Sequence, residues 1–159
     1  MESLSIGRYL TMGYAHVGVV VGDREKGVEF LTSLWGLGPW DIVDYEPEES
    51  DIKVGEPFKL KLAWVKFGPG LLELIQPVKG KTIWSNALES KGEGLHHLSL
   101  KVSNWDEMVL GLEAKGGKMA AGAIYQGRRW AYFTGSPGGI VIEYEEEIPT
   151  DPSIWKIWG

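Results

Sequence analysis

The chain has 159 residues, 43% of them apolar, which suits one compact domain or two small modules sharing a core and argues against disorder. Its 16 basic and 22 acidic side chains give a net charge of −6, and the basic residues are scattered rather than striped, so nothing in the sequence draws it to nucleic acid or anionic lipid. There is no cysteine, which excludes thiol nucleophiles, disulfides and thiolate metal sites; any metal must rest on nitrogen and oxygen.

Residues 1–12 read as an N-terminal arm. The first fourteen residues include Glu2 and Arg8 and lack the apolar run of a secretion signal, and no later run is long enough to span a bilayer, so a cytoplasmic protein is expected. The first module is placed at 13–77. It opens with a strand at 15–21, after which Asp23 caps a helix over 24–34 whose apolar stripe is Val28, Leu31 and Leu34. Gly36, Gly38 and Pro39 stop that helix, and Trp40 to Tyr45 forms a second strand. Glu46-Pro47-Glu48-Glu49-Ser50-Asp51 is too polar and proline-interrupted for a core strand and reads as a solvated hairpin tip. Strands at 59–67 and 71–76, joined by Gly68-Pro69-Gly70, complete the order β-α-β-β-β.

A connector at 78–93, with a short helix around 83–90, leads to a second module at 94–147. The pattern restarts there. A strand at 95–102, a helix opened by Ser103-Asn104-Trp105-Asp106 and ended by Gly116-Gly117, a weak strand at 118–124, a stronger one at 129–134 and a last one at 140–146 repeat β-α-β-β-β. The tail, 148–159, carries Trp155 and Trp158, placed to cover a sheet face or reach a partner subunit.

The repeat carries chemistry with it. Tyr14-Ala15-His16-Val17-Gly18-Val19-Val20-Val21 matches Leu95-His96-His97-Leu98-Ser99-Leu100-Lys101-Val102, and each histidine precedes an Asp or Asn helix-starter by seven residues, Asp23 and Asn104. Two further strands place one glutamate in an apolar run: Glu73 in Leu71-Leu72-Glu73-Leu74-Ile75 and Glu143 in Ile140-Val141-Ile142-Glu143-Tyr144. His16 and Glu73 are 57 positions apart and His97 and Glu143 46, an excess of 11 that the acidic loop near 46–56 can absorb. Period-two alternation sets His16, Gly18 and Val20 on one face and His97, Ser99 and Lys101 on the matching one, with small residues beside both imidazoles. A carboxylate on an apolar strand is rarely buried without a cation or a metal. Alone, each of these residues is more simply a hydrogen-bonded histidine or a solvent-facing glutamate. Repeated at equivalent positions, they form an N2O2 set suited to one divalent ion, Zn, Ni, Co, Mn or Fe(II). His96, of opposite parity, is expected to pack or to support.

These motifs resemble the vicinal oxygen chelate superfamily, which includes glyoxalase I, methylmalonyl-CoA epimerase, extradiol dioxygenases and bleomycin-type resistance proteins; the likeness spans roughly residues 13–146. It implies an α+β fold of two tandem βαβββ modules forming a curved, open mixed sheet around a central metal, with His16, Glu73, His97 and Glu143 as ligands. Gly92-Glu93-Gly94-Leu95-His96-His97 and Gly139-Ile140-Val141-Ile142-Glu143 are most similar to methylmalonyl-CoA epimerases and glyoxalase-like relatives. The resemblance then implies proton transfer next to a carbonyl in a carbonyl or thioester substrate, with Glu143 as ligand and base and a second base in the segment of Glu46, Glu48 and Glu49, Glu48 being favoured. Glyoxalase I chemistry (lactoylglutathione lyase) and a non-catalytic, ligand-sequestering protein are the alternatives. A homodimer is implied by the same likeness. The chain departs from the epimerases at Phe133-Thr134-Gly135-Ser136 and at Gly38-Pro39-Trp40, and the residues expected to contact substrate are Trp40, Ser99, Lys101, Trp130 and Tyr132.

Overall fold

The structure, a computed structural model, describes residues 10–147; the N-terminal residues 1–9 and the tail carrying Trp155 and Trp158 lie outside the described residues. The first half runs β1 (Leu10–Val20), α1 (Arg24–Trp35), β2 (Asp41–Tyr45), β3 (Ile52–Val54), β4 (Lys59–Phe67) and β5 (Gly70–Lys79). After α2 (Ile83–Lys91) the second half runs β6 (Gly94–Val102), α3 (Trp105–Ala114), β7 (Met119–Tyr125), β8 (Arg128–Phe133) and β9 (Ile142–Glu146). The helices start where side chains cap them. Asp23 accepts from the Lys26 amide at 3.0 Å, Asn104 from that of Glu107, and Thr82 and Ser85 cap α2 reciprocally.

The nine strands among the described residues form one mixed sheet in the order β2-β4-β5-β1-β6-β9-β8-β7-β3. Without β3 it is palindromic in kind: β1 pairs parallel with β5 as β6 pairs parallel with β9, and β1 and β6 meet antiparallel at the centre. The fold is therefore the expected α+β pair of repeats joined across a pseudo-twofold axis.

The acidic segment is solvent-exposed as expected, but it is not the tip of a hairpin. After a short 3-10 turn at Glu49–Asp51 it forms β3, which pairs antiparallel with β7 at the far edge of the sheet. Seven residue steps from Tyr45 to Ile52 reach at most about 25 Å. Eight strand spacings in a flat sheet would cover about 38 Å. The sheet must therefore curl until its two edges nearly meet, and the seam is bridged by Tyr45. The Tyr45 hydroxyl donates to the Ile124 carbonyl at 3.4 Å and accepts from Trp130 Nε1 at 3.2 Å, and its ring lies 4.9 Å from that of Tyr125.

Helices α1 and α3 cover the outside of the barrel. Val28 and Leu31 of α1 pack with Val21, Ala63 and Leu74, while Trp105, Met108 and Leu112 of α3 pack with Val102, Phe133 and Tyr144. Leu34 does not join the α1 stripe: it is 57% exposed, beyond the reach of the strands beneath. Inside the barrel Tyr45, Phe58, Leu60, Leu62, Ile75 and Tyr132 form a separate core, and α2 plugs one end of it with Trp84. Among the described residues no helix is long and apolar enough to cross a membrane.

Trp84 is 2% exposed and its ring lies 5.5 Å from those of Phe58 and Tyr132. Trp84→Ala is expected to lower stability by about 3–5 kcal/mol through the cavity it leaves, read as a drop in the urea midpoint with unchanged slope. An unaltered midpoint would mean that the end of the barrel is open.

Candidate metal centre

The four central strands, β5, β1, β6 and β9, each send one residue inward to the same point. His16, Glu73, His97 and Glu143 are all buried, and one donor atom from each lies within 4.8 Å of every other. His16 Nε2 is 3.0 Å from Glu73 Oε2, from Glu143 Oε2 and from His97 Nε2; His97 Nε2 is 3.4 Å from Glu73 Oε2 and 3.2 Å from Glu143 Oε2.

Strand pairing explains the aim. Tyr14 pairs with Leu100 and His16 with Ser99, so Ala15 is an extra residue on β1; Gly18 pairs with His97 and Val19 with Leu95, so His96 is an extra residue on β6. A bulge therefore precedes each histidine. Such bulges twist a strand and redirect the side chain that follows. Across the β1–β6 pair each imidazole faces the other strand's small residue. A Cβ on Gly18 would lie 1.9 Å from His97 Cε1, so glycine is required there by the space the ring occupies.

The supporting contacts differ between the halves. His16 Nδ1 lies 3.0 Å from Glu145 Oε1, off line for a hydrogen bond, and that same oxygen accepts from Ser99 Oγ at 2.7 Å. Ser99 thus positions Glu145, and Glu145 faces the rear of the His16 ring. Around His97, the Tyr132 hydroxyl is 3.3 Å from Nε2, and His96 Nδ1 is 3.1 Å from Nδ1. Glu145 was not singled out in the sequence, although it follows Glu143 by two residues and so shares its face.

Electrostatics keep the carboxylates ionised. Burial alone would raise Glu73, but the two histidines beside it pull its pKa down to about 2. Glu143 is lowered too: the imidazoles of His16 and His97 close beside it overcome its burial. Burial would lower His16, yet the carboxylates of Glu73, Glu145 and Glu143 around it lift it well above its ordinary value; His97 is raised in the same way by Glu143 and Glu73. His96 falls to about 4 through burial and the neighbouring His97, and stays neutral. Tyr132 is driven well above the phenol range by burial and then by Glu143 and Glu73, so its hydroxyl stays a donor.

The residues fit a divalent cation. Glu73 Oε2 and Glu143 Oε2 are buried and accept no hydrogen bond, which is costly for an ionised oxygen unless a cation stands before it. A metal with bonds of about 2.0–2.1 Å sets neighbouring ligands about 3.0–3.4 Å apart, the range of the five separations above. Two imidazoles and two carboxylates are a borderline set suited to Zn, Ni, Co, Mn or Fe(II).

A cavity of about 100 Å3 opens on the quartet, lined by His16, Glu73 and Glu143 and by Trp130 and Tyr132 among the expected substrate contacts. Other expected contacts lie elsewhere. Trp40 packs outside the barrel under α1, where its Nε1 donates to Thr32 Oγ1 at 2.9 Å, because the strand it was assigned to begins one residue later. Ser99 and Lys101 are buried on the inner face but do not line the cavity, Ser99 serving Glu145 instead. Glu48 is exposed at the start of the 3-10 turn and also lies outside the lining, because the loop leads the chain across the seam instead of over the quartet.

Two outcomes follow from this geometry. Gly18→Ala must displace the His97 ring, so metal affinity by titration should fall by about tenfold to a hundredfold or more, with an unchanged circular dichroism spectrum; wild-type affinity would contradict the packing. In metal-free protein the raised histidines stabilise the fold in full below about pH 6.5 and lose that contribution as pH rises through their folded values, whereas the lowered carboxylates contribute in full above about pH 4.5 and lose it on acidification. Thermal melts in chelator should therefore peak in that window and decline toward pH 8. Added cobalt or zinc, which displaces the protons, should restore stability increasingly as pH rises. Melts at pH 8 unmoved by metal would count against the site.

Comparisons agree with the fold. A family model described as the glyoxalase/bleomycin resistance protein/dioxygenase superfamily matches residues 15–134, a span that holds His16, Glu73 and His97 and ends before Glu143. No curated protein matches the sequence. Similar solved structures include a hypothetical protein from Bacillus halodurans C-125, with TM-score 0.66 and 20% identity over 87% of this chain and 96% of that one. Methylmalonyl-CoA epimerase from Mycobacterium tuberculosis has TM-score 0.62 and 22% identity over 94% of both chains. A Streptomyces coelicolor methylmalonyl-CoA epimerase variant in complex with 2-nitronate-propionyl-CoA has TM-score 0.65 and 19% identity over 89% of this chain and 98% of that one. At these identities the structural likeness establishes the fold. With the family model spanning most of the sequence, the chain belongs to the glyoxalase/bleomycin resistance protein/dioxygenase superfamily, the vicinal oxygen chelate proteins.

Proposed function

We propose that the protein is a metal-dependent isomerase or lyase that moves a proton at a carbon next to a carbonyl, in the manner of methylmalonyl-CoA epimerase. The observation that carries this reading is the pair of buried carboxylate oxygens that face two imidazole nitrogens and accept no hydrogen bond. His16, Glu73, His97 and Glu143 would hold the cation, which supplies Lewis-acid charge for two neighbouring substrate oxygens. The remaining chemistry falls to the chain. Glu143 lines the cavity as an ionised carboxylate, and it takes and returns the proton. The Tyr132 hydroxyl, which stays protonated, donates toward the oxygen on which negative charge develops. Ser99 and Glu145 hold the His16 ring from behind. The apolar walls exclude water and strengthen each of these interactions.

A second reading has one observation in its favour. Epimerisation needs a base on each face of the planar intermediate, and Glu48 is exposed and outside the cavity lining. One carboxylate that removes a proton and returns it to the adjacent carbon on the same face suffices for glyoxalase I-type isomerisation. That favours Glu143 acting alone.

Proton exchange tests the reaction class directly. Cobalt-loaded protein in D2O is expected to wash deuterium into the carbon next to the carbonyl of at least one of three compounds: methylmalonyl-CoA, the hemithioacetal of methylglyoxal with glutathione, and 2-hydroxyacetophenone. Proton NMR reads the exchange, and Glu143→Gln should slow it by about 10²–10⁴-fold. If all three bind without exchange, the protein sequesters ligands and does not turn them over.

A further inference from the structure

The cavity beside the quartet says more about the substrate than the quartet does. Its walls are aromatic and aliphatic: Tyr45, Trp84, Trp130 and Tyr132 with Leu62 and Ile75. The rings meet edge to face. Trp84 and Trp130 are 5.9 Å apart, Trp130 and Tyr132 5.9 Å at 81°, and Trp84 and Tyr132 5.5 Å at 85°. Such walls leave a slot bounded by ring faces and edges, which accepts a flat apolar group, while Arg128, Arg129, Glu145 and Glu146 line the cavity beyond it.

Size points the same way. The free volume of about 100 Å3 is of the order of an engineered apolar cavity of roughly 150 Å3 that binds benzene. It is far smaller than the 300–1,000 Å3 or so of sites that enclose a drug-sized ligand. The seam does not offer a way through for a longer chain, because Tyr45 crosses it to the Ile124 carbonyl and to Trp130, and β3 is zipped to β7 beyond. Of the two arginines that also line the cavity, Arg129 is engaged by Glu146 and Asp106 through its guanidinium. It is therefore committed within the protein.

We infer that the group carried by the reacting end of the substrate is a small aromatic or branched apolar one, seated between Trp84, Trp130 and Tyr132 while its two neighbouring oxygens face the His16–Glu73–His97–Glu143 quartet. This rests on the metal-dependent reading above and narrows it. A compact aryl or branched-alkyl carbonyl compound with oxygens on adjacent atoms fits the cavity.

Two chelating probes with the same oxygens and different bodies separate size and polarity from metal affinity. Benzohydroxamate and acetohydroxamate are titrated calorimetrically into the cobalt-loaded full chain, with the cobalt absorption spectrum followed in parallel. Benzohydroxamate is expected to bind about ten- to a hundredfold more tightly, the advantage of withdrawing a phenyl group from water. Trp130→Ala, which removes a half-buried wall, should reduce that preference to a few-fold while acetohydroxamate still perturbs the spectrum. Equal affinities, or a preference for acetohydroxamate, with the spectrum still perturbed, would overturn the aromatic slot and leave the metal reading standing. Failure of the wild-type chain to take up cobalt would overturn the metal reading and this inference with it.

Discussion

Four ionisable side chains buried at one point inside the barrel are the constraint on which the rest of the structure depends. Two carboxylates brought out of water beside each other would cost several kcal/mol apiece without compensation. Here His16 and His97 stand against Glu73 and Glu143, so that metal-free protein can hold them as mutually compensating charges, and a divalent cation can replace the two imidazole protons. Much of the remaining architecture keeps these groups at that spacing. The four strands that carry them are adjacent, the bulges aim the imidazoles, and Gly18 leaves the volume that the His97 ring fills.

Duplication makes the constraint easy to meet. One βαβββ unit sends an imidazole from its first strand and a carboxylate from its last, and those strands are parallel neighbours in both halves. Joining two such units through antiparallel β1 and β6 brings both pairs to a common axis. The halves then diverge in what stands behind the ligands. Glu145 and Ser99 support His16, whereas Tyr132 and His96 stand by His97. A pseudo-symmetric quartet thus acquires two unlike sides.

That His16, Glu73, His97 and Glu143 meet at one point is legible because the quartet is written in local periodicity. A histidine at a strand start and a glutamate inside an apolar strand each stand out, and their recurrence in the same order reveals that they belong together. Glu145 shares that parity, but a strand ending in Glu145-Glu146-Glu147 looks like a solvated terminus. The place of Trp40 under α1 is not legible, because an aromatic before a strand carries no sign of which layer it joins. The acidic segment was harder still. Its polarity correctly points to solvent, but nothing local shows that the short β3 after it pairs with β7, a partner more than sixty residues away. With that pairing unseen, the curl of the sheet, the bridging role of Tyr45 and the distance of Glu48 from the cavity were all out of reach. His96 shows the limit of strict alternation, since a bulge and not parity sets its position beside His97.

The account turns on whether one cation is shared by both halves of the chain. X-ray anomalous scattering at the cobalt edge, from crystals of protein loaded with one equivalent, measures this most directly. A single peak about 2.0–2.2 Å from His16 Nε2, His97 Nε2 and one oxygen each of Glu73 and Glu143 is the predicted result. No peak among these four atoms, with the His–Glu contacts intact in metal-saturated crystals, would contradict it.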